Sequence, residues 1–174
     1  WVALGHPQYL LVRMVREGLL DAAAGRLERQ KGYDLLVAAA GRIAERGLDF
    51  ELLIAGEGSR RQDLSEQIQS AGLAERVRLT GFVSNMADFM GRIDLFVFPS
   101  LWEGFGYAAA EAMAAGRPVV AFDISSNPEV VDHGVCGLLV PAADIEALAA
   151  AILRLAKDPA LRTRMGRQGR ARVA

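Results

Sequence analysis

The sequence predicts a doubly wound α/β domain built on one parallel sheet. Three observations predict it. Short apolar runs alternate with helical patterns from about residue 19 onward. The runs are apolar at most positions rather than at every second one, as strands covered on both faces are. The length, 174 residues, favours a single domain. In such folds ligands bind at the carboxyl ends of the strands, near the point where strand order reverses. The informative residues are therefore expected just after strands.

The elements follow in order. Leu19 to Ala24 is a short apolar strand ending at Gly25. Lys31 to Arg46 carries apolar residues at helical spacing (Leu35, Leu36, Ala39, Ala40, Ile43) and is closed by Gly47, a C-terminal stop. Phe50 to Ala55 is a compact strand followed by Gly56, Glu57 and Gly58. Ser59 is expected to cap a helix running to about Ala71, stopped by Gly72. Arg76 to Thr80 alternates like a strand, and Asn85 can cap a short helix through Met90. Asp94 to Phe98 is a strand of buried type, ended by Pro99 and Ser100. Tyr107 to Ala115 is an Ala-rich helix ended by Gly116, and Pro118 to Phe122 is the next strand. Pro128 to Asp132 suits a short helix after Asn127, and Leu138 to Val140 a last short strand. Asp144 caps a helix through about Lys157, and Pro159 opens a final one at its first position. Residues 1–18 fit no regular pattern and are expected to be a leader or interdomain remnant, with the domain itself at 19–174.

Composition removes several function classes. Hydrophobic residues make up 52% and charged residues 24%, enough for a core. Twenty Lys+Arg against twenty-one Asp+Glu give a net charge of −1, so the basic excess of a phosphate-neutralising nucleic-acid binder is missing and no nucleic-acid partner is expected. One cysteine, Cys136, excludes an internal disulfide and reads as a small packing residue. No apolar run approaches the roughly 20 residues that span a bilayer. The chain begins at Trp1 rather than Met and stops within a helical pattern at Ala174, so it is expected to be a piece of a longer protein. A cytoplasmic location is expected.

Two strand ends carry chemistry. The first reads Gly25-Arg26-Leu27-Glu28-Arg29-Gln30-Lys31-Gly32. Arg26 and Lys31, at the entry to a helix, make an anion site, because the helix dipole and free N–H groups add to their charge. Solvated surface charges are the competing account. The fourth strand end reads Phe98-Pro99-Ser100-Leu101-Trp102-Glu103-Gly104-Phe105-Gly106-Tyr107 and leads into a helix bearing Glu111. Gly104 and Gly106 let backbone approach a ligand closely. Carboxylates at Glu103 and Glu111 can accept hydrogen bonds from ribose or sugar hydroxyls. In its Ala-rich setting Glu111 is expected to be buried and to need a partner.

These residues carry a resemblance. Gly25-Arg26-Leu27…Lys31-Gly32, Gly56-Glu57-Gly58…Arg61…Leu64, Thr80-Gly81-Phe82-Val83, Phe98-Pro99-Ser100…Glu103-Gly104-Phe105-Gly106…Glu111-Ala112 and Gly116-Arg117-Pro118-Val119-Val120-Ala121 stand in order over about residues 19 to 160. Together they resemble the C-terminal, Rossmann-like half of retaining group 1 (family 4) glycosyltransferases of GT-B fold. The resemblance implies a nucleotide-sugar donor (UDP or GDP sugar), with Arg26 and Lys31 on the diphosphate and Glu111 on the ribose. It implies backbone near Phe82 and Val83 on the base, Gly104, Phe105 and Gly106 at the phosphates, and Glu103 facing the sugar. The acceptor, a glycan or glycolipid, would be held by an N-terminal domain outside this chain. The isolated chain is therefore expected to bind donor without transferring sugar. No Asp-x-Asp triplet occurs, the cation pair can take the metal's role, and neither metal nor cofactor is expected. Two departures stand out: Ser125-Ser126-Asn127-Pro128-Glu129 replaces a common Gly-Gly before Pro-Glu, and Leu20-Asp21-Ala22-Ala23-Ala24 is less hydrophobic than the usual first strand.

Other accounts stay open on residues alone. Gly56-Glu57-Gly58-Ser59-Arg60-Arg61 is part of a dinucleotide fingerprint, but lacks the third glycine. A nucleotide-sugar epimerase-like GT-B domain would keep a diphosphate site, and a scaffold with a dead site would keep the fold. Trp102 reads as an ordinary, partly buried aromatic. His133 reads as a cation near a helix C-terminus. The run Arg162, Arg164, Arg167, Arg170 and Arg172 reads first as a solvated face and second as a peripheral contact with an anionic membrane.

Overall fold

A computed structural model describes residues 19–174. The expectation for residues 1–18 lies outside the described residues. The strands are β1 (Leu19–Ala24), β2 (Phe50–Ala55), β3 (Val77–Gly81), β4 (Leu95–Phe98), β5 (Val119–Phe122) and β6 (Gly137–Val140). The helices are α1 (Tyr33–Glu45), α2 (Arg61–Ser70), α3 (Met86–Arg92), α4 (Tyr107–Ala114), α5 (Asn127–Val130), α6 (Ile145–Lys157) and α7 (Pro159–Val173), with a 3-10 turn at Arg29–Lys31. All strand pairs are parallel and the sheet order is β3-β2-β1-β4-β5-β6. Order reverses at β1. The crevice between β1 and β4 is thus the switch point, where such sheets bind ligands.

The apolar pattern explains the layers. Side chains alternate across a strand, so Ala23 faces one layer while Ala22 and Ala24 face the other. The first layer gathers Leu36, Ala40 and Ile43 of α1 with Leu148, Ile152 and Leu155 of α6 over Ile54, Val97 and Phe122. The second gathers Phe89 and Met90 of α3 with Ala109, Ala112 and Met113 of α4 over Phe96, Phe98 and Ala121. Small residues on α4 let that helix lie close to the sheet. α7 packs on α4 through Gly169, where an added Cβ would stand 3.3 Å from Met113. Gly166 approaches closer still: a Cβ there would fall 2.0 Å from the Gly116 carbonyl oxygen.

Several local expectations need correction. Lys31 does not begin α1. It closes the 3-10 turn, Gly32 follows with φ +63°, and the helix starts at Tyr33. Ser59 does not cap α2. The cap is Arg60, and the Ser59 hydroxyl and N–H donate instead to the Glu28 carboxylate at 2.8 and 3.2 Å. A charged acceptor from the neighbouring loop outcompetes the helix end. Asn127 lies inside α5 rather than before it, and its amide donates to the Phe122 carbonyl at 2.9 Å. His133 acts as an acceptor, taking the Leu139 N–H on Nδ1 at 3.0 Å. Cys136 is fully buried, as a packing residue should be, and burial pushes its thiol pKa up.

Candidate active site

Three loops meet at the carboxyl ends of β1 and β4. The β1–α1 loop is tied down first. Gly25 N–H donates to Ala55 at 2.9 Å, Leu27 N–H to Glu57 at 2.9 Å, and Arg60 N–H back to Leu27 at 2.9 Å. Gly32 then passes so close to β4 that an added Cβ would lie 2.1 Å from the Pro99 carbonyl oxygen. Only glycine fits there, since both the space and the positive φ exclude a side chain. Leu101 N–H donates to the Gln30 carbonyl at 2.8 Å, and Gln30 Nε2 to the Trp102 carbonyl at 2.7 Å. Residues 72 apart in sequence are thus held side by side.

That scaffold brings Lys31 to Glu103. The Lys31 ammonium forms an ion pair with Glu103 Oε1 and lies 5.7 Å from the Phe98 ring centroid. The same carboxylate oxygen accepts from Ser100 Oγ at 2.8 Å, and Ser100 is buried. Lys31 and Glu103 side chains are 19% and 13% exposed, so the pair is largely shielded yet reachable from the crevice. Tyr33 sits behind it. Its hydroxyl would meet a Cβ on Gly25 at 2.8 Å. Burial, then the Glu103 charge, push its pKa well above the ordinary phenol range, so it stays protonated.

The remaining expected site residues lie on the β1–α1, β3–α3 and β4–α4 loops and on α4. Gly106 caps α4 in the left-handed region at φ +72°. Gly104 and Phe105 are exposed on the bend before it. Phe105 lies 4.9 Å from the exposed Tyr107 ring, centroid to centroid. Val83 is buried, whereas Phe82 is 76% exposed at the start of the β3–α3 turn. Arg26 is exposed on the β1–α1 loop. Two expectations are corrected here. Glu111 is exposed on the outer side of α4 rather than buried, and its carboxylate forms no ion pair or hydrogen bond among the described residues. Trp102 is 63% exposed rather than partly buried. Sequence reasoning missed Ser100 and Tyr33 as neighbours of the pair. The buried Ser100, just past an all-apolar strand, was the available signal.

The partial dinucleotide fingerprint has a packing explanation. It follows β2, not the switch-point strand β1. A Cβ on Gly56 would fall 1.8 Å from the Gly25 carbonyl oxygen, and one on Gly58 2.5 Å from that of Leu27. Both glycines are needed to pack one loop on another. No group of three or more His, Cys, Asp or Glu among the described residues is placed to hold a metal ion. No helix among them is long and apolar enough to cross a membrane. A cavity of about 570 Å³ between α2 and β3, lined by Arg61, Gln62, Ile68 and Val77, lies away from the crevice.

A doubly wound parallel sheet with an ion pair and a glycine bend at its switch point defines a Rossmann-like class of α/β domain. The family is then specific: residues 22–172 match the model for glycosyl transferases group 1, and the chain belongs to that family. It is 36% identical over 143 residues to alpha-D-kanosaminyltransferase of Streptomyces kanamyceticus, covering 81% of this chain and 37% of that protein. It is 37% identical over 131 residues to a lipopolysaccharide core biosynthesis mannosyltransferase of Rhizobium meliloti, covering 71% of this chain and 37% of that protein. Among solved structures, TarM of S. aureus superposes with a TM-score of 0.87 at 27% identity, covering 90% of this chain and 32% of that one. HepE of Anabaena, solved with UDP and glucose, superposes with a TM-score of 0.82 at 27% identity, covering 88% and 43%. The architecture is that of one GT-B half, and the chain spans little more than a third of the two curated relatives' length.

Proposed function

We propose that residues 19–174 are the donor-binding domain of a retaining glycosyltransferase that moves a hexose from a nucleotide-diphosphate sugar to an acceptor without a metal. The observation that carries this is the meeting of Lys31 and Glu103 at the switch point, beside the Gly104–Gly106 bend. In the donor-free crevice the two charges satisfy each other. An entering diphosphate takes over the Lys31 ammonium, with Arg26 as its second cation, and the N–H groups at Gly104 to Gly106 face its oxygens. The Glu103 carboxylate is then free to accept from sugar hydroxyls. Glu111, exposed one turn into α4, reaches the ribose, and backbone at Phe82 and Val83 meets the base.

The chemistry follows from charge. When the bond from the anomeric carbon to the phosphate oxygen breaks, its electron pair leaves with the diphosphate. Cations and N–H donors aimed at that oxygen stabilise the transition state more than the ground state. The acceptor oxygen forms the new bond to the anomeric carbon, and its proton passes to the departing phosphate oxygen. A second domain, outside this chain, holds the glycan or glycolipid acceptor. The protein works in the cytoplasm, with Arg164, Arg167 and Arg170 as its contact with an anionic membrane. Each of the three is exposed on α7 without an ion pair among the described residues.

Thermal melting with UDP, GDP, ADP and NAD tests the donor site. A ligand at a hundred times its dissociation constant stabilises by about 2.7 kcal/mol, roughly 5–10 °C for a chain of this size. A shift with at least one nucleoside diphosphate is expected. A shift with NAD alone, or with none, overturns the proposal. Loss of vesicle binding when the three arginines become glutamine tests the membrane contact, and unchanged binding removes it.

A further inference from the structure

The β5–α5 loop departs from the common Gly-Gly of the family, and its geometry shows a use for the departure. Ser125 has φ +51°, a left-handed conformation that costs a serine energy and that glycine adopts freely. Such a residue persists where surrounding contacts over-determine it. Here the contact is one hydrogen bond: Ser125 Oγ donates to the Glu103 carbonyl oxygen at 2.7 Å. Two residues on, the buried Asn127 is anchored to the end of β5 through Phe122, and its Oδ1 stands 3.6 Å from where a Cβ on Gly106 would be. The loop therefore touches both ends of the Glu103–Gly106 bend.

Glu103 is consequently held from three directions. Lys31 of the β1–α1 loop and Ser100 at the end of β4 hold its carboxylate, and Ser125 holds its carbonyl. When a donor draws Lys31 away, Ser100 and Ser125 are what keep the residue in place. We infer that Ser125 is a positioning residue that fixes the main chain of the Glu103 bend so that its carboxylate stays aimed into the crevice. The functional part of this inference rests on the donor site proposed above; the mechanical part does not.

Two variants of the full chain separate strain from tether. Ser125→Gly removes the hydroxyl and relieves the backbone, whereas Ser125→Ala removes the hydroxyl and keeps the strain. The first readout is melting temperature with amide hydrogen exchange at Leu101, Ala109 and Ala110, whose hydrogen-bonded N–H groups bracket the bend. Loss of the tether is expected to speed exchange there about tenfold in both variants, the worth of roughly one hydrogen bond. Melting temperature should be unchanged or higher in Ser125→Gly and lower in Ser125→Ala. The second readout compares each nucleotide with its sugar: UDP with UDP-glucose, GDP with GDP-mannose, ADP with ADP-glucose. The added affinity due to the sugar should fall in both variants while affinity for the bare nucleotide holds. Unchanged exchange in both variants overturns the inference. So does a Ser125→Gly protein that loses stability together with affinity for both ligands, because the role is then purely structural. If the parent chain binds none of the pairs, the donor reading fails, and the exchange comparison still decides whether Ser125 tethers the bend.

Discussion

The two ends of the sheet treat a carboxylate in opposite ways. At the carboxyl end, Glu103 meets a lysine ammonium and a serine hydroxyl. At the amino end, Asp21 lies buried in β1 with Asp94 as a like-charged neighbour and Arg162 as a weaker, favourable one. Asp21 Oδ1 is buried with no hydrogen-bond partner. The contrast follows from the architecture. Strand ends feed into helix N-termini, whose free N–H groups favour anions, whereas strand starts receive helix C-termini, whose carbonyls favour cations. Arg162 illustrates the second case, donating to the Leu155 and Ala156 carbonyls at the end of α6, both at 2.7 Å. Asp94 escapes the cost in part, because its Oδ2 accepts the Leu20 N–H at 3.1 Å. Asp21 does not, so burial above all drives its pKa well above the usual carboxylate range.

This comparison yields graded expectations. Lys31→Ala, in an enzyme carrying both halves, should lower turnover by about 10²–10³-fold, the scale of losing one preorganised electrostatic contact. Its melting temperature should fall as well, because Glu103 loses its charged partner in a largely shielded site; unaltered turnover would detach Lys31 from the chemistry. Asp21→Asn should stabilise the fold at neutral pH, because the folded state no longer has to hold a proton or bury a charge there, and leave nucleotide affinity alone. The sign is set by linkage. The folded state keeps the Asp21 proton to a higher pH than the unfolded one, so stability is lost as pH rises from the ordinary carboxylate value through the raised one. The advantage of Asp21→Asn should therefore grow from acid to neutral pH in parallel melts, and a constant gap across that range would refute it. Ser100→Ala should reduce turnover about tenfold through the loss of one hydrogen bond to Glu103, with kcat affected more than KM. Glu28→Gln should have the smallest effect. The Ser59 hydroxyl and N–H hold the Glu28 carboxyl below its usual range, so this stabilisation is present above the ordinary value and fades as pH falls through the lowered one. Glu28→Gln should flatten only that acid limb of the melting curve.

Local pattern made the six strands, the helices between them and the two covered faces legible, because each depends on runs of a few residues. It also placed Lys31 and Glu103 on loops that the topology brings together. What it could not show were partners far along the chain. Ser59 has every mark of a helix cap, yet Glu28, 31 residues earlier, claims it. Glu111 looks buried because its neighbours are alanines, but those line the inner side of α4 while Glu111 points outward. Asp21 was visible as an odd residue in an apolar strand. That it is buried beside a second aspartate depends on β4, more than seventy residues away.

The contact between Gly32 and Pro99 fixes the width of the crevice floor. The start of α1 and the end of β4 touch backbone to backbone, with no side chain between them that mutation could shorten or lengthen. On the donor reading proposed above, selectivity among sugars or bases then falls to side chains around that floor. Phe82, Trp102, Phe105 and Tyr107, past the ends of β3 and β4, are exposed and can be exchanged without disturbing the core. On that reading, redirecting the domain toward another donor is a matter of recutting those four side chains on an unchanged base.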